Sequence, residues 1–334
     1  MIQIEHVSQR YKQQKEDFYA LNDVSLRIDS HTNIGIVGYS GAGKSTLVRL
    51  INGLIKPTQG GVYVDGIDLN TLTKKELDRM RMKIGMVFQH FNLLSSQTVF
   101  NNVKIALKIA GYEKDQIDAR VHEVLEMVGL SDKAMSYPRN LSGGEKQRVG
   151  IARGIANHPT YLLCDEMTSA LDHKTAKDIL AVLKEIQKKE KMSIIFISHQ
   201  LDMVREICDE IVVMEKGKIV ESKKTKDLFI EPKSHAAQSL IESYQVIESL
   251  RGSDRYVLTY TKDALHQSIL SDAIKAFEID LSIIYALTLP MGLDTIGYLV
   301  VEMKGNRLQE ACEFITSKEV HIRRLSEEKI YDNV

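Results

Sequence analysis

Residues 38–46 have the composition of a phosphate-binding loop. The segment reads Gly38-Tyr-Ser-Gly-Ala-Gly-Lys-Ser-Thr46, which fits the pattern G-x-x-x-x-G-K-[ST], and it lies between a predicted strand at 33–37 and a predicted helix at 46–54. Glycines let such a loop point its N–H groups at phosphates, and the helix start adds the positive end of a dipole. We therefore expect a nucleoside triphosphate, held by Gly38, Ser40, Gly41, Ala42, Gly43, Lys44, Ser45 and Thr46.

Two side chains of this loop have specific predicted roles. Lys44 is expected to reach the β- and γ-phosphates, and Ser45 is expected to bind Mg²⁺ through its hydroxyl. A glycine-rich turn that contains Lys and Ser by chance is the alternative. The strand before the loop and the helix after it argue against that alternative.

A pair of carboxylates follows a predicted strand at 160–164. Asp165 and Glu166 would lie at the carboxyl edge of a parallel sheet, where ligands collect. We expect Asp165 to bind the Mg²⁺ shell and Glu166 to polarise the attacking water as a general base. An exposed acidic pair without function is the alternative, and the phosphate-binding loop makes it the weaker one.

A second candidate anion site begins at residue 142. Ser142 and Glu145 have the spacing of a capping box at a helix start, and Gly143 and Gly144 leave N–H groups exposed to an anion. A well-capped helix without a ligand is the alternative. Capping alone does not explain why a chain with one phosphate-binding helix start should have another.

The order of predicted elements indicates an α/β fold with an insertion. Apolar runs of strand character alternate with helical patterns, including a helix at 174–188 and a strand at 193–197, which is typical of a parallel sheet. Between about 90 and 158 the strand signal disappears. There the apolar spacing at 121–128 predicts a helix that stops at Gly129, so we expect an inserted helical subdomain.

The chain is predicted to have a second, smaller domain. We place the first domain at 1–245 and a linker at 246–254, where Arg251-Gly-Ser-Asp254 reads as a turn. The pattern over 255–334 predicts the order βαββαβ, which is the ferredoxin-like α+β arrangement. Such a small domain carries edge strands, and pairing with a second copy would cover them.

Composition argues against several functions. The chain has 44 Lys and Arg against 45 Asp and Glu, which is not the balance of a nucleic-acid-binding protein. Cys164, Cys208 and Cys312 lie far apart among apolar neighbours, so we expect buried thiols in a reducing compartment. No run approaches the roughly 20 apolar residues that span a bilayer, and the start lacks the pattern of a leader. Work at a membrane would therefore need another chain.

The segment Asn140-Leu-Ser-Gly-Gly-Glu-Lys-Gln-Arg148 resembles the signature of ABC-type ATPases, which distinguishes them from other P-loop NTPases. Further positions match the family in the family's order: Tyr11, Gln89 in Phe88-Gln-His90, Ser169-Ala-Leu-Asp172, and His199 in Ile197-Ser-His199.

The resemblance implies ATP and Mg²⁺ as cofactors and a homodimer as the working unit. By similarity, Tyr11 stacks on adenine, Gln89 links Mg²⁺ to a membrane subunit, Asp172 belongs to the nucleotide site, and His199 contacts the γ-phosphate. Two ATP molecules are then sandwiched head to tail. The start of the signature helix, Ser142 to Glu145, faces the ATP of the other subunit.

The chain is also similar to the ATPase subunit of methionine importers. The similarity is carried by Phe88-Gln-His-Phe-Asn-Leu-Leu-Ser95, Thr98-Val-Phe100, Leu163-Cys-Asp-Glu166 and Thr168-Ser-Ala-Leu-Asp172. It implies a peripheral protein on the cytoplasmic face of a bacterial cell membrane, bound to transmembrane permease subunits and served indirectly by an extracellular solute-binding protein.

The C-terminal domain resembles the module with which that family senses methionine and inhibits transport. The apolar strand 283–289 and the turn Pro290-Met-Gly292 are the predicted pocket, and a plain sheet core is an equally good interpretation of the strand residues. Two departures are visible: Glu145 replaces the Gln common in the signature, and Ser282 stands where Asn is expected ahead of Ile283-Ile284. The first preserves capping, and the second bears on effector binding.

Three alternatives remain open from the sequence. The same machine could carry another small solute, because specificity lies in other subunits. A soluble ABC protein acting on ribosomes or DNA is a rival from another class, although the sequence has no second phosphate-binding loop and no sustained heptads. The C-terminal domain could also serve only for dimerisation.

Overall fold

The computed structural model describes residues 1–12, 17–261, 264–265, 267–291 and 294–325. Its internal contacts divide the chain into two compact units, Met1–Thr225 and a second that begins at Lys226. Within the described residues, no helix is long and apolar enough to cross a membrane.

The first unit contains ten strands and seven helices among its described residues. The strands are β1 Ile2–Lys12, β2 Asp17–Ile28, β3 Ile34–Val37, β4 Gln59–Val64, β5 Ile67–Asp68, β6 Ile84–Val87, β7 Tyr161–Asp165, β8 Ser193–Ser198, β9 Glu210–Glu215 and β10 Lys218–Lys224. The helices are α1 Lys44–Ile51, α2 Lys74–Arg81, α3 Val99–Ala110, α4 Lys114–Met127, α5 Gly143–Ile155, α6 His173–Glu190 and α7 Leu201–Ile207, with short 3₁₀ turns at Ser131–Lys133 and Pro138–Asn140.

The predicted parallel sheet is confirmed. Its order is β10-β9-β3-β8-β7-β6, and the strands from β9 to β6 run parallel. Every residue of β3 and β8 is buried, because a parallel sheet is covered on both faces and its strands are therefore apolar throughout. The register pairs Val37 with Ser198 and Asp165 with Ile197. The strands β3, β7 and β8 therefore end at the same edge, where the predicted site residues follow them.

A second sheet lies in the same unit and was not predicted. Its order is β2-β1-β4-β5, with antiparallel pairing throughout. The pairing of β1 with β2 shifts register after Ile4, Val7 and Gln9. Each bulge interrupts the alternation of apolar and polar residues by which a strand is recognised.

The inserted helical subdomain is present between β6 and β7. Helices α3, α4 and α5 occupy this stretch, and Val121, Val124 and Leu125 of α4 are fully buried. The predicted stop is also correct, because Gly129 has a φ of +67° and donates its N–H to Glu126 O at 2.9 Å. Left-handed glycine is the usual end of a helix.

The second unit contains a four-stranded antiparallel sheet with helices. Its elements are α8 Thr225–Ile230, which begins at the last residue of the first unit, α9 His235–Leu240, α10 Glu242–Ser249, β11 Arg255–Tyr260, α11 Ile269–Phe277, β12 Asp280–Met291, β13 Asp294–Lys304, α12 Leu308–Ser317 and β14 His321–Arg324. The sheet order β12-β13-β11-β14 is that of a ferredoxin-like domain, as predicted. Leu258, Val301 and Ile315 lie at the centre of its core.

The division between the units falls earlier than the predicted boundary at 245. Lys226 pairs with Asp294 at 2.7 Å, and Tyr298 donates its hydroxyl to Phe229 O at 2.6 Å. Helices α8 to α10 therefore group with the second unit, and residues 246–249 of the predicted linker belong to α10. Polar contacts of this kind leave no periodic signal in a sequence. The predicted end of the domain, 326–334, and Gly292 lie outside the described residues.

The cysteines agree with the prediction in two cases of three. Cys164 and Cys208 are buried, whereas Cys312 is only partly buried on α12. Burial raises the pKa of the Cys208 thiol well above its usual range. Both buried thiols are therefore packing residues.

Candidate nucleotide-binding site

The loop between β3 and α1 has a backbone that requires glycine. A Cβ on Gly38 would lie 2.3 Å from Met214 O, and a Cβ on Gly43, whose φ is +102°, would lie 2.5 Å from Ala20 O. Both approaches are closer than any side chain tolerates. The loop therefore packs its backbone against β9 and β2 and leads from the sheet into the first turn of α1, where a helix start can bind a phosphate.

Lys44 is held in the centre of this loop. Its side chain is 6% exposed, and Nζ donates to Gly38 O at 2.7 Å and to Tyr39 O at 3.1 Å. Burial lowers the pKa of Lys44, while the nearby charges of Glu166 and Asp165 oppose that shift. The ammonium group is thus fixed in position and incompletely neutralised, which suits it to anionic phosphates.

The two carboxylates take different positions at the end of β7. Asp165 is the last residue of the strand, and burial, with a further contribution from the charge of Glu166, raises its pKa. Glu166 has a left-handed backbone with a φ of 45°, and its N–H donates to Ile197 O at 3.0 Å on the neighbouring strand. Left-handed conformations of non-glycine residues are concentrated at functional sites.

The turn at Glu166 brings its side chain between two other groups. Oε1 lies 4.0 Å from Lys44 Nζ and 3.5 Å from His199 Nδ1. His199 follows β8 directly, and its side chain is 47% exposed. Ser169 donates its hydroxyl to Glu166 O at 2.9 Å and so fixes the turn. Three residues that follow β3, β7 and β8 along the chain therefore meet at one edge of the sheet.

The signature segment has the predicted capping box. Ser142 caps α5, and its N–H donates to Glu145 Oε2 at 2.8 Å while its hydroxyl accepts from Glu145 N–H at 3.3 Å. These bonds lower the pKa of Glu145. Glu145 can therefore replace the usual Gln in the capping box, because the bond from the Ser142 N–H needs only an acceptor oxygen on the side chain.

The described neighbours of the signature glycines lie on the segment after Glu166. A Cβ on Gly143 would lie 3.4 Å from Leu171 Cδ2, and one on Gly144 would lie 2.7 Å from Thr175 Cγ2. Asp172 caps α6 by accepting the N–H of Thr175 at 3.0 Å. Asp172 thus borders the signature segment, and the contacts described for both do not include the loop at 38–46.

Tyr11 lies on the antiparallel sheet, whereas Gln89 lies at the same carboxyl edge as Asp165, because β6 pairs in parallel with β7. Tyr11 is on β1 opposite Phe18, and 38% of it is exposed, as a stacking platform requires. Gln89 follows β6, an edge strand of the parallel sheet, and is half-buried. No contact described for either residue reaches Lys44 or Glu166.

The backbone of several residues contributes to the site without a signal in the sequence. The carbonyl groups of Gly38 and Tyr39 hold Lys44, and the carbonyl of Ile197 holds the turn at Glu166. Every residue type carries a carbonyl group, so no pattern of residue types reveals these contacts. Ser169 was named only as the first residue of a family motif. Its bond to the turn was predictable, because a hydroxyl commonly bonds to the backbone carbonyl three residues earlier.

The residues present fit a magnesium ion that takes only part of its ligands from the protein. Among the described residues no group of three or more His, Cys, Asp and Glu side chains could hold a metal. Mg²⁺ usually takes only one or two protein ligands and completes its shell with waters and substrate phosphates. The raised pKa of Asp165 marks a carboxylate without full charge compensation. Ser45, Asp165 and Gln89 are the residues that would hold the ion.

Two family models match the chain. The model described as "ABC transporter" matches residues 21–169, and the model described as "NIL domain" matches residues 254–324. The first range contains the phosphate loop, both carboxylates and the capped α5, and the second contains the four strands of the second unit. This fold and this site are those of an ATP-binding cassette ATPase of the transporter class.

Full-length relatives specify the class further. The Methionine import ATP-binding protein MetN of Helicobacter pylori (strain ATCC 700392 / 26695) is 44% identical, with 98% of this chain and 100% of the relative covered. MetN of Vibrio vulnificus (strain CMCP6) is 42% identical, with 97% and 99% covered. This chain belongs to the family of methionine import ATP-binding proteins.

Solved structures agree with the assignment of the first unit. The ATP-binding cassette MJ0796, in a dimeric post-hydrolysis state bound to ADP and Pi, has a TM-score of 0.62 at 36% identity, covering 67% of this chain and 99% of that one. CbiO1 of Clostridium perfringens, part of the ABC transporter complex cbiONQ, has a TM-score of 0.64 at 28% identity, covering 74% and 98%.

Proposed function

We propose that the chain is the ATP-hydrolysing subunit of an ABC importer for methionine. The observation that carries the catalytic part of the proposal is the position of Glu166, whose carboxylate lies between Lys44 and His199 beside the phosphate loop. A base, a fixed cation and a histidine at one sheet edge are the parts that phosphoryl transfer to water needs.

In this proposal each side chain has one task. The loop N–H groups and Lys44 bind the β- and γ-phosphates, and His199 donates to the γ-phosphate. Glu166 takes a proton from the attacking water, so that the hydroxyl oxygen bonds to phosphorus while the bond to the ADP oxygen breaks. Bound Mg²⁺, held by Ser45, Asp165 and Gln89, would neutralise charge on the phosphate oxygens.

The working unit is proposed to be a homodimer with ATP at the interface. The start of α5 is a second anion-binding helix terminus, and its described neighbours are on the segment 171–175 and not on the loop at 38–46. A two-fold dimer would place Ser142, Gly143 and Gly144 on the ATP of the partner. The related cassette MJ0796 is dimeric in its complex with ADP and Pi.

The membrane steps are assigned to other subunits. Family membership favours transmembrane permease subunits as direct partners, an extracellular solute-binding protein as an indirect one, and a location on the cytoplasmic face of the cell membrane. Methionine is proposed as the solute because full-length relatives at more than 40% identity are named methionine import proteins.

The second unit is proposed to bind methionine and to inhibit transport. It contains a cavity of about 220 Å³ that is lined by both apolar and hydroxyl groups, among them Tyr260, Leu270, Leu287, Thr288 and Tyr298. The hydroxyl of Tyr260 is buried and has no hydrogen-bond partner among the described residues. A small amino acid with a polar head and an apolar tail suits such a lining.

Dimerisation without a ligand is a second candidate role for this unit. Strand β12 is the edge of its sheet, is 12 residues long, and exposes Ile283 by 58% and Ile284 by 40%. A long apolar edge of this kind invites pairing with another strand. The two roles predict different responses to methionine.

Transport by the reconstituted complex tests the proposal. Vesicles that contain the chain with its co-purified transmembrane subunits are supplied with ATP, and uptake of labelled methionine is compared with uptake of a basic and an acidic amino acid. ATP-dependent accumulation of methionine above both competitors is the expected result. Accumulation of a different solute in its place would overturn the assignment of methionine as the substrate. It would not affect the ATPase assignment, which Glu166→Gln tests separately.

A further inference from the structure

The segment after Gln89 has an unusual backbone. Phe91 and Asn92 both adopt the left-handed conformation, with φ of 59° and 49°. Two successive non-glycine residues rarely do so, and the conformation persists only where surrounding groups hold it. The contacts that hold this segment therefore matter for the position of Gln89.

A guanidinium on the signature helix holds both residues. Arg153 of α5 donates through Nη2 to Phe91 O at 3.0 Å and through Nη1 to Asn92 O at 2.6 Å. Burial lowers its pKa, and no carboxylate of the described part of the chain pairs with it. The guanidinium of Arg153 therefore donates to two carbonyl groups of one short segment. The planar fork of arginine suits this geometry.

The strand before Gln89 is fixed to the same helix. A Cβ on Gly85 of β6 would lie 2.2 Å from Gly154 O of α5, and a Cβ on Gly154 would lie 3.3 Å from Met86 O. Strand and helix therefore approach each other through their backbones, with the side chain of Leu162 packed beside the contact. Both sides of Gln89 are attached to the helix whose first turn contains Gly143 and Gly144.

We propose that Arg153 is a positioning residue for ATP hydrolysis, which fixes the Gln89 segment to the signature helix so that the two elements move as one body. The inference rests on the proposed function, in which Gln89 reaches the Mg²⁺ of one ATP and Gly143 and Gly144 face the ATP of the partner. Arg153 then transmits the state of one nucleotide site to the other without contacting either nucleotide.

Three variants of the full chain separate this role from a general effect on stability. Arg153→Met removes the donors, and Arg153→Lys keeps a charge with part of the donor capacity. Arg81→Met is the matched control, because Arg81 likewise donates to two successive carbonyl groups, Asn52 O at 3.2 Å and Gly53 O at 2.8 Å, away from the signature helix.

The expected result is a split between nucleotide binding and turnover. Arg153→Met should retain the ATP affinity of the monomer within about twofold but lose kcat by about tenfold, the range that coupling mutations produce. Arg153→Lys should recover only part of the rate, because one ammonium group does not reproduce the fork that donates to both carbonyl groups, and Arg81→Met should have a normal rate. Hydrogen exchange with ATP should protect both 88–92 and 141–146 in the wild type, and only 88–92 in Arg153→Met.

Other outcomes would overturn the proposal. A wild-type kcat in Arg153→Met would show that Arg153 does not couple the Gln89 segment to the signature helix. Joint protection of both segments in that variant would show the same. Loss of monomer ATP affinity, or a melting temperature far below that of Arg81→Met with no recovery in Arg153→Lys, would show a structural role only. The proposed function itself fails separately, if the wild type does not hydrolyse ATP or if Glu166→Gln remains active.

Discussion

Nζ of Lys44 lies 4.0 Å from Oε1 of Glu166, so the cation meant for phosphate and the proposed base share one corner of the sheet edge. Neither group is fully paired by the other at this separation, since a close ion pair would be nearer 3 Å. Each keeps capacity for a ligand. The phosphate-binding role of Lys44 and the role of Glu166 as a base can therefore be tested by separate substitutions.

Replacing Glu166 by Gln should separate binding from turnover. The change removes the base but keeps the size of the side chain, so ATP should still bind while kcat falls by about 10²- to 10⁴-fold. Steady-state phosphate release and a nucleotide-binding titration measure the two effects. Glu185→Gln, an exposed change on α6, is the control. Residual activity within a few-fold of wild type would remove Glu166 from the role of base.

Replacing Lys44 by Ala should weaken nucleotide binding itself. The ammonium is fixed by Gly38 O and Tyr39 O inside the loop, and its removal deletes a charge-assisted contact to phosphate. ATP affinity is expected to fall by about tenfold or more, with hydrolysis abolished. Lys56→Ala, which removes an exposed lysine bonded to Asn70 O at 3.0 Å, should change neither. Unchanged affinity and rate in Lys44→Ala would contradict the assignment.

Asp165 provides a prediction about stability and pH. Burial, with the charge of Glu166, raises the pKa of Asp165 in the folded chain, so its ionised form is less favourable there than in the unfolded chain. The penalty is present above the folded-state pKa and disappears below the unfolded value of about 3.9. Asp165→Asn should therefore raise the melting temperature of the nucleotide-free chain at pH 7.

Melting temperatures across pH check this prediction. The gain in Asp165→Asn should shrink as the pH is lowered from 7 toward 4, and Asp178→Asn, an exposed change on α6, should have no effect at either end. Stabilisation by Mg-ATP should be lost in Asp165→Asn, because the carboxylate would be a ligand of the ion. A lower melting temperature at pH 7 would show that burial does not penalise this carboxylate.

The parts of the fold that were predictable are those whose signal is carried by side-chain type. Strands β3, β7 and β8 are continuous apolar runs, and since parallel strands end at one edge, Lys44, Glu166 and His199 had to converge. The antiparallel sheet was missed because bulges in β1 interrupt its alternation. The turn at Glu166 and the carbonyl groups around Lys44 are backbone features, which residue types do not encode.

Mixed dimers should reveal a composite site. Lys44→Ala damages the loop of its own subunit, whereas Ser142→Arg removes the cap of α5 and so damages the site on the partner's ATP. A heterodimer of the two variants then has one site with both defects and one site intact, and it should occlude one ATP, while either homodimer occludes none. Isolated heterodimers that occlude no ATP would indicate that loop and signature serve the same subunit's nucleotide.

The cavity of the second unit should bind methionine and inhibit transport. Inhibition requires methionine to bind one arrangement of the dimer better than another, and a tenfold preference supplies about 1.4 kcal/mol per site. Two symmetric sites would double that, enough to hold the ATPase halves apart if the two states are otherwise closely balanced.

A large side chain in place of Ala286, which lines this cavity, should exclude the ligand. Ala286→Trp is expected to lower the affinity of the full chain for methionine by about tenfold or more and to relieve inhibition of uptake by preloaded internal methionine, with ATP hydrolysis unchanged. Lys275→Ala, an exposed change on α11 outside the cavity lining, is the control. Calorimetry and transport assays measure the two effects. If inhibition persists undiminished in Ala286→Trp and also after truncation at the end of the first unit, Thr225, the second unit is not the sensor. Dimerisation through the exposed edge of β12 would then be its role.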